Sequence, residues 1–249
     1  LGRLVRLGCV NDLTADSGGE VRAADLLEDF FAGLPVSIER ITPHPGRTSL
    51  VVTVEGADPH SAGTPLTLLG HTDVVPVDTA KWTRDPFGAQ IEDDVMWGRG
   101  TVDMLHLTAA MAVVTREVAR RAQDGNPPAR SLVFVAAADE EARGGLGVPW
   151  IGDNKPEALP WDAALSEMGG AHIRGRRGGD SVVVVVGEKG AAQRRLHIRG
   201  DAGHGSVPLG RTSAVERLVQ VSAALSAARW PTATDEVWAG FVRAFEFDE

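Results

Sequence analysis

The sequence predicts an α/β protein: a mostly parallel mixed sheet with helices on both faces. Three observations predict it. Apolar, β-branched runs at Pro65–Leu69 and Arg130–Ala138 read as buried strands. Helical periodicity covers Val21–Leu34, Met104–Arg121 and Thr212–Arg229. Both strand runs lead straight into residues able to do chemistry, Gly70-His71-Thr72-Asp73 and Asp139-Glu140-Glu141. In open α/β sheets ligands bind just past the carboxyl ends of the strands.

The elements follow in order. Residues 1–19 hold a short apolar segment and a polar turn ending in Ser17-Gly18-Gly19-Glu20. In the first helix Leu26, Leu27, Phe30 and Phe31 form one apolar stripe, and Pro35 stops it. Val36–Ile41 and Ser49–Val54 alternate like strands around the turn Pro43-His44-Pro45-Gly46. The Pro65–Leu69 strand follows a loop. Residues 78–100 lack clear periodicity, and long segments of that kind in compact domains tend to be functional. The second helix carries Leu107, Ala110, Met111, Val114 and Val118, with Asp103 at its start. Taken alone, such an Asp is a helix cap. After the Arg130–Ala138 strand, Trp161–Leu165 is a short strand ending in Ser166-Glu167-Met168. Val182–Val186 is an apolar strand, Gln193–Arg199 an alternating one, and Gly203-His204-Gly205-Ser206 a Gly-rich loop before the last helix.

Composition narrows the function. Of 249 residues 43% are hydrophobic, enough for a sizeable core. The net charge is -9 and no basic block stands out, which argues against nucleic acid as a partner. No apolar run approaches the ~18 residues of a membrane span, and no signal peptide is visible. Cytoplasm is the default location. The sequence begins at Leu1 and not Met, which leaves room for residues before it. Cys9 is the only cysteine, so neither an internal disulfide nor a thiolate zinc site is possible.

Any metal site must therefore use His, Asp and Glu. The strand-end groups His71, Asp73, Asp103, Glu140, Glu141 and Glu167 form a hard, oxygen-rich set with one imidazole, suited to zinc, cobalt or manganese. Two metals clamped by such groups are a common hydrolytic arrangement. A carboxylate that does not ligate metal can take a proton from water, and the adjacent pair Glu140-Glu141 offers one group for each job.

The ordered segments Leu-Leu-Gly-His71-Thr-Asp73-Val-Val-Pro, Trp-Gly-Arg-Gly-Thr-Val-Asp103-Met, Asp-Glu140-Glu141-Ala-Arg-Gly-Gly, Ser-Glu167-Met-Gly-Gly and Gly-Asp-Ala-Gly-His204-Gly-Ser-Val-Pro together resemble one family. It is the zinc metallopeptidase family of carboxypeptidase G, aminoacylase-1 and succinyl-diaminopimelate desuccinylase, metallopeptidase family twenty. The resemblance runs from about residue 5 to the end. It implies a catalytic zinc-hydrolase domain over residues 1–187 and the beginning of an α+β lid and dimerisation domain over residues 188–249. It implies that His71 and Glu167 bind one Zn2+ and Glu141 a second, with Asp103 bridging both and followed by a cis peptide. Asp73 would orient His71. Glu140 would activate the metal-bridging water and then protonate the leaving amine. His204 would reach the active site of a partner copy and steady the oxyanion. The implied substrate is an N-acyl amino acid or small peptide cleaved at an amide bond, and the implied assembly a homodimer through the lid.

Two departures stand out. In relatives the second zinc takes a His from near the C-terminus, but His204 is the last of the seven histidines here. The sequence thus reads as the N-terminal part of a longer enzyme, with an inactive or non-catalytic relative as the alternative. Leu105 stands where relatives usually carry Lys, a position expected on the helix and outside the metal shell. The remaining histidines, His44, His60, His106, His172 and His197, read as loop or surface residues.

Overall fold

The computed structural model describes residues 1–58, 63–174, 180–187, 190, 194–207 and 209–245. The chain forms two compact units, Leu1–Glu167 and Met168–Glu249. Among the described residues after Glu167, His172–Arg174 pairs with Asp180–Val182.

The first unit contains α1 (Gly2–Leu7), α2 (Val21–Phe31), β1 (Ser37–His44), β2 (Arg47–Val54), β3 (Leu66–His71), β4 (Gln90–Glu92), β5 (Val95–Trp97), α3 (Leu105–Gln123), β6 (Leu132–Ala137), α4 (Val148–Asn154) and β7 (Ala164–Leu165). Five strands form one mixed sheet in the order β1-β2-β6-β3-β7. β3 runs parallel to both β6 and β7. β2 is antiparallel to β1 and to β6, so β2 alone opposes the common direction. This is the mostly parallel mixed sheet the sequence predicts.

Burial explains which strands are central. Every residue of β6 is buried, and all of β2 but one, because both faces of these strands are covered. β1 is one of the two edge strands, and its Glu39 and Arg40 are exposed, which blunts edge-to-edge pairing. Side-chain alternation splits the core in two. Leu50, Val52, Leu68, Phe134 and Ala136 pack against α1, α2 and α3. Val51, Val133, Val135 and Ala137 pack against Ile151 of α4 and Leu159. Helices thus cover both faces.

Local differences from the sequence pattern have physical causes. α2 stops at Phe31 because Gly33 takes a left-handed conformation (φ 78°) just before Pro35. His44, expected in a loop, ends β1 and pairs with Asp16 at 3.0 Å. The buried stripe of α3 is Leu105, Thr108, Met111, Ala112, Thr115 and Ala119, not the expected face through Val114, which is 51% exposed. The threonines reverse the expectation by bonding carbonyls: Thr115 Oγ1 donates to Met111 O at 2.8 Å and Thr108 Oγ1 to His71 O at 2.7 Å. Their burial brings α3 close to β3. A Cβ at Gly70 would lie 2.6 Å from Thr108 Oγ1, so only glycine fits there. Within residues 78–100, β4 and β5 form a hairpin whose turn residues Asp93 and Asp94 have positive φ.

The second unit contains β8 (His172–Arg174), β9 (Asp180–Val182), α5 (Ala214–Ala227) and α6 (Glu236–Phe245). α5 opens with a reciprocal cap: Glu216 N donates to Ser213 Oγ at 3.1 Å and Ser213 N to Glu216 Oε2 at 2.8 Å. It buries no residue. The expected strand Val182–Val186 ends at Val182, and residues 194–199 of the expected strand form none; Gln193 lies outside the described residues, as does His60. An apolar strand needs neighbours on both sides, and among the described residues β9 pairs with β8 alone. No helix among the described residues is long and apolar enough to cross a membrane.

Candidate metal centre

The sheet brings the acidic clusters to one edge. His71 and Ala137 are partners at the ends of β3 and β6, and Leu165 ends β7 beside Leu68. The residues just beyond these ends, Asp73, Asp139–Glu141 and Glu167, therefore leave the sheet on the same side. Asp103 arrives from the loop before α3, across a cis peptide to Met104, as the resemblance implied. Leu105 begins α3 and is buried in the core, away from the ligand set.

His71 is the buried centre of the group. Its Nδ1 lies 2.9 Å from the main-chain carbonyl of Asp73 and 3.5 Å from that residue's carboxylate. With Nδ1–H donating to the carbonyl, Nε2 is the nitrogen left for a cation. That atom lies 3.3 Å from Asp103 Oδ1, 3.6 Å from Glu167 Oε2 and 3.7 Å from Glu140 Oε2. One ligand atom each from His71, Asp103 and Glu167 fall within 4.8 Å of one another. Glu141 is outside that set. Its Oε1 is nevertheless buried with no hydrogen-bond partner among the described residues, and an orphaned acceptor of this kind is what a cation would satisfy.

Asp73 does more than orient the imidazole. Its Oδ1 accepts the Glu140 N–H at 3.1 Å, and its Oδ2 accepts the Glu141 N–H at 3.1 Å and Asn11 Nδ2 at 2.8 Å. Fully buried, it anchors the main chain from which Glu140 and Glu141 project. Burial alone would raise its pKa, but His71, Asn11 and the Glu141 amide hold it below the ordinary carboxylate range.

His204, expected to contribute, lies in the second unit, exposed, with Nδ1 2.7 Å from Ser206 Oγ. His106 is exposed on the first turn of α3. The sequence reading missed Asn11, Glu20 and Arg47, which form a buried polar layer beneath the centre. The available signal was Arg47, the one charged residue of a strand that runs on into Leu50, Val51 and Val52.

Charge balance has a measurable consequence. Burial disfavours a charged His71, but Asp73, Glu140 and Glu167 outweigh it and raise the pKa from 6.5 to about 9. Burial, reinforced by Asp103, raises Glu141 from 4.5 to about 7. A group with a raised folded pKa lends stability below its ordinary value and loses it as pH rises through the folded value. The metal-free chain should therefore become less stable from pH 4.5 to about 7 through Glu141, and from pH 6.5 to about 9 through His71. A divalent cation replaces the protons, so excess zinc should remove the decline. Thermal melts at about pH 5, 7 and 9, with chelator and with zinc, test this. A chelated protein that gains stability across the range contradicts it.

Comparison with known proteins identifies the family. The profile of peptidase family M20/M25/M40 matches residues 67–246. Succinyl-diaminopimelate desuccinylase 2 of Shewanella loihica is 30% identical over 174 residues, covering 69% of this chain and 44% of the relative. Succinyl-diaminopimelate desuccinylase of Xylella fastidiosa is 32% identical over 176 residues, again 69% and 44%. The chain thus spans less than half the length of these relatives. Among solved structures, an M20 family metallo-carboxypeptidase from Sulfolobus solfataricus superposes with a TM-score of 0.51 at 21% identity, covering 71% of this chain and 37% of that one. Human carnosine dipeptidase 1 gives 0.51 at 20% identity, covering 70% and 39%. These two share the fold. The family match over residues 67–246 places this chain in peptidase family M20/M25/M40.

Proposed function

We propose that this chain carries the metal-binding part of a divalent-metal-dependent hydrolase that cleaves an amide or peptide bond in an N-acyl amino acid or small peptide. The observation that carries the reading is the meeting of His71, Asp103 and Glu167 within 4.8 Å, with Glu140 Oε2 3.7 Å from the same imidazole nitrogen. The relatives named desuccinylase support removal of an acyl group from an amine. The donor set fits zinc, with cobalt or manganese as substitutes. His71, Asp103 and Glu167 would hold one ion, and Glu141 with Asp103 would contribute to a second. When bound, the metal supplies Lewis acidity, polarising the scissile carbonyl and easing loss of a proton from water.

The protein's own groups do the rest. Glu140 takes a proton from the attacking water and returns it to the leaving amine nitrogen. Asp73 holds the main-chain amides of Glu140 and Glu141, so the two carboxylates keep separate tasks. His204 would steady the developing oxyanion of a second copy in a homodimer.

The test is an assay of the zinc-loaded and the chelated protein on N-succinyl amino acids, N-acetyl amino acids and dipeptides. Metal-dependent release of free amine is expected. Retained metal with no release from any substrate favours a second reading, a non-catalytic relative that associates through its second unit. The observation behind that reading is α5, where Val215, Leu218 and Val219 lie exposed.

A further inference from the structure

Beneath the metal centre lies a buried guanidinium. Arg47, the first residue of β2, is 0% exposed and is the only buried Lys or Arg among the described residues. Each of its nitrogens is occupied. Nε donates to Ala15 O at 3.1 Å. Nη1 donates to Glu20 Oε1 at 2.6 Å and lies 3.6 Å from Asp139 Oδ1. Nη2 donates to Thr14 O at 2.6 Å, Ser17 Oγ at 3.0 Å and Asn11 Oδ1 at 3.2 Å. Gly18 leaves room for the pair, since a Cβ there would fall on Arg47 Nη1.

Three of the partners of Arg47, namely Glu20, Asn11 and Asp139, meet at one turn. Glu20 Oε1 accepts the Asp139 N–H at 3.1 Å. Asn11 Nδ2 donates to Asp139 Oδ1 at 3.0 Å and to Asp73 Oδ2 at 2.8 Å. Asp139 Oδ2 accepts the Leu146 N–H at 2.8 Å. Asp139 sits at φ 64°, a left-handed conformation that a non-glycine residue keeps only when its surroundings impose it. The next two residues are Glu140 and Glu141, fixed in turn by Asp73. The strand end that carries the proposed base and the second-metal ligand is thus gripped through three successive amides by two buried carboxylates, Glu20 and Asp73; Arg47 is the cation shared between Glu20 and Asp139, and it reaches Asp73 through Asn11.

Stability alone is a weak reason to bury this ion. Desolvating a guanidinium and carboxylates costs several kcal/mol, and an apolar cluster of the same volume would often stabilise as well. An apolar cluster would not, however, fix Asn11, Glu20 and Asp139 in one arrangement. We propose that Arg47, acting through Glu20, Asn11 and Asp139, is a positioning residue for the metal centre, setting the turn that presents Glu140 and Glu141. The inference rests on the metal-hydrolase reading above.

The experiment measures Co2+ affinity and the Co2+ ligand-field spectrum for the parent, Arg47→Lys, Glu20→Gln, His71→Ala and Val52→Ala. Glu20→Gln is nearly isosteric and covers the case in which Arg47→Lys does not fold. Val52→Ala loosens the same sheet without touching the polar layer, so it separates lost stability from lost positioning. Losing a group that orients ligands typically weakens metal binding about 10–100-fold. A weakening in that range for Arg47→Lys and Glu20→Gln, with a changed spectrum, is expected, while Val52→Ala lowers the melting temperature and leaves both unchanged. Parent-like affinity and spectrum in the folded Glu20→Gln variant overturn the proposal and leave the reading it rests on intact. A parent whose Co2+ binding does not depend on His71 overturns that reading, and the proposal with it.

Discussion

Glu140→Gln should lower amide hydrolysis by about two to four orders of magnitude, the usual contribution of a positioned general base, and leave bound metal nearly unchanged. Gln keeps the size of the side chain and its hydrogen-bonding capacity but takes no proton from water. The metal should stay because the clustered ligand atoms come from His71, Asp103 and Glu167. Glu140 stands at the rim, its side chain half exposed, at 3.7 Å from His71 Nε2. The turn should also persist, because Asp73 holds residue 140 by its main-chain N–H and not by its side chain. Turnover in the metal-loaded protein and metal content by elemental analysis are measured on the same sample. A variant that loses metal together with activity would make Glu140 a ligand and remove it as the base.

Asp73→Ala should destabilise the first unit severely even without metal. The carboxylate is fully buried, accepts the Asn11 amide and two main-chain N–H groups, and lies 3.5 Å from His71 Nδ1. Each donor left without an acceptor costs about 1–3 kcal/mol, and breaking a buried charged pair about 3–5 kcal/mol. The contributions overlap, so a loss of about 3–5 kcal/mol is expected, out of the ~5–15 kcal/mol typical of a domain. Urea unfolding in chelator measures it. Asp73→Asn, which keeps one acceptor oxygen, should lose less. A loss under about 1 kcal/mol for Asp73→Ala would mean the network reorganises around the gap.

The candidate ligands stood out in the sequence because each lies at a break in a clear local pattern. β3 and β6 announce themselves as apolar runs, and His71 and Asp139-Glu140-Glu141 follow directly. Asp103 and Glu167 likewise mark the start of α3 and the end of β7. The layer beneath was not legible in the same way. Arg47 meets Glu20 and Asn11 across 27 and 36 residues, and nothing local to any of them signals the contact. The face of α3 was misjudged because burial follows its threonines, which satisfy their hydroxyls on carbonyls. α4 escaped notice because seven residues containing a proline and a glycine show no readable period. In the second unit the apolar run after Val182 pairs through Val183 with Gly170 and Ala171 and, among the described residues, forms no strand beyond that, so local preference alone does not make it one.

The measurement that bears most directly on the account is zinc per chain after loading and desalting, made on the parent, His71→Ala and Asp103→Ala together. The parent should retain about one zinc or more, and both variants should lose it, because each removes a donor from the clustered set. A folded parent that retains no zinc, or variants that retain as much as the parent, would contradict the metal centre.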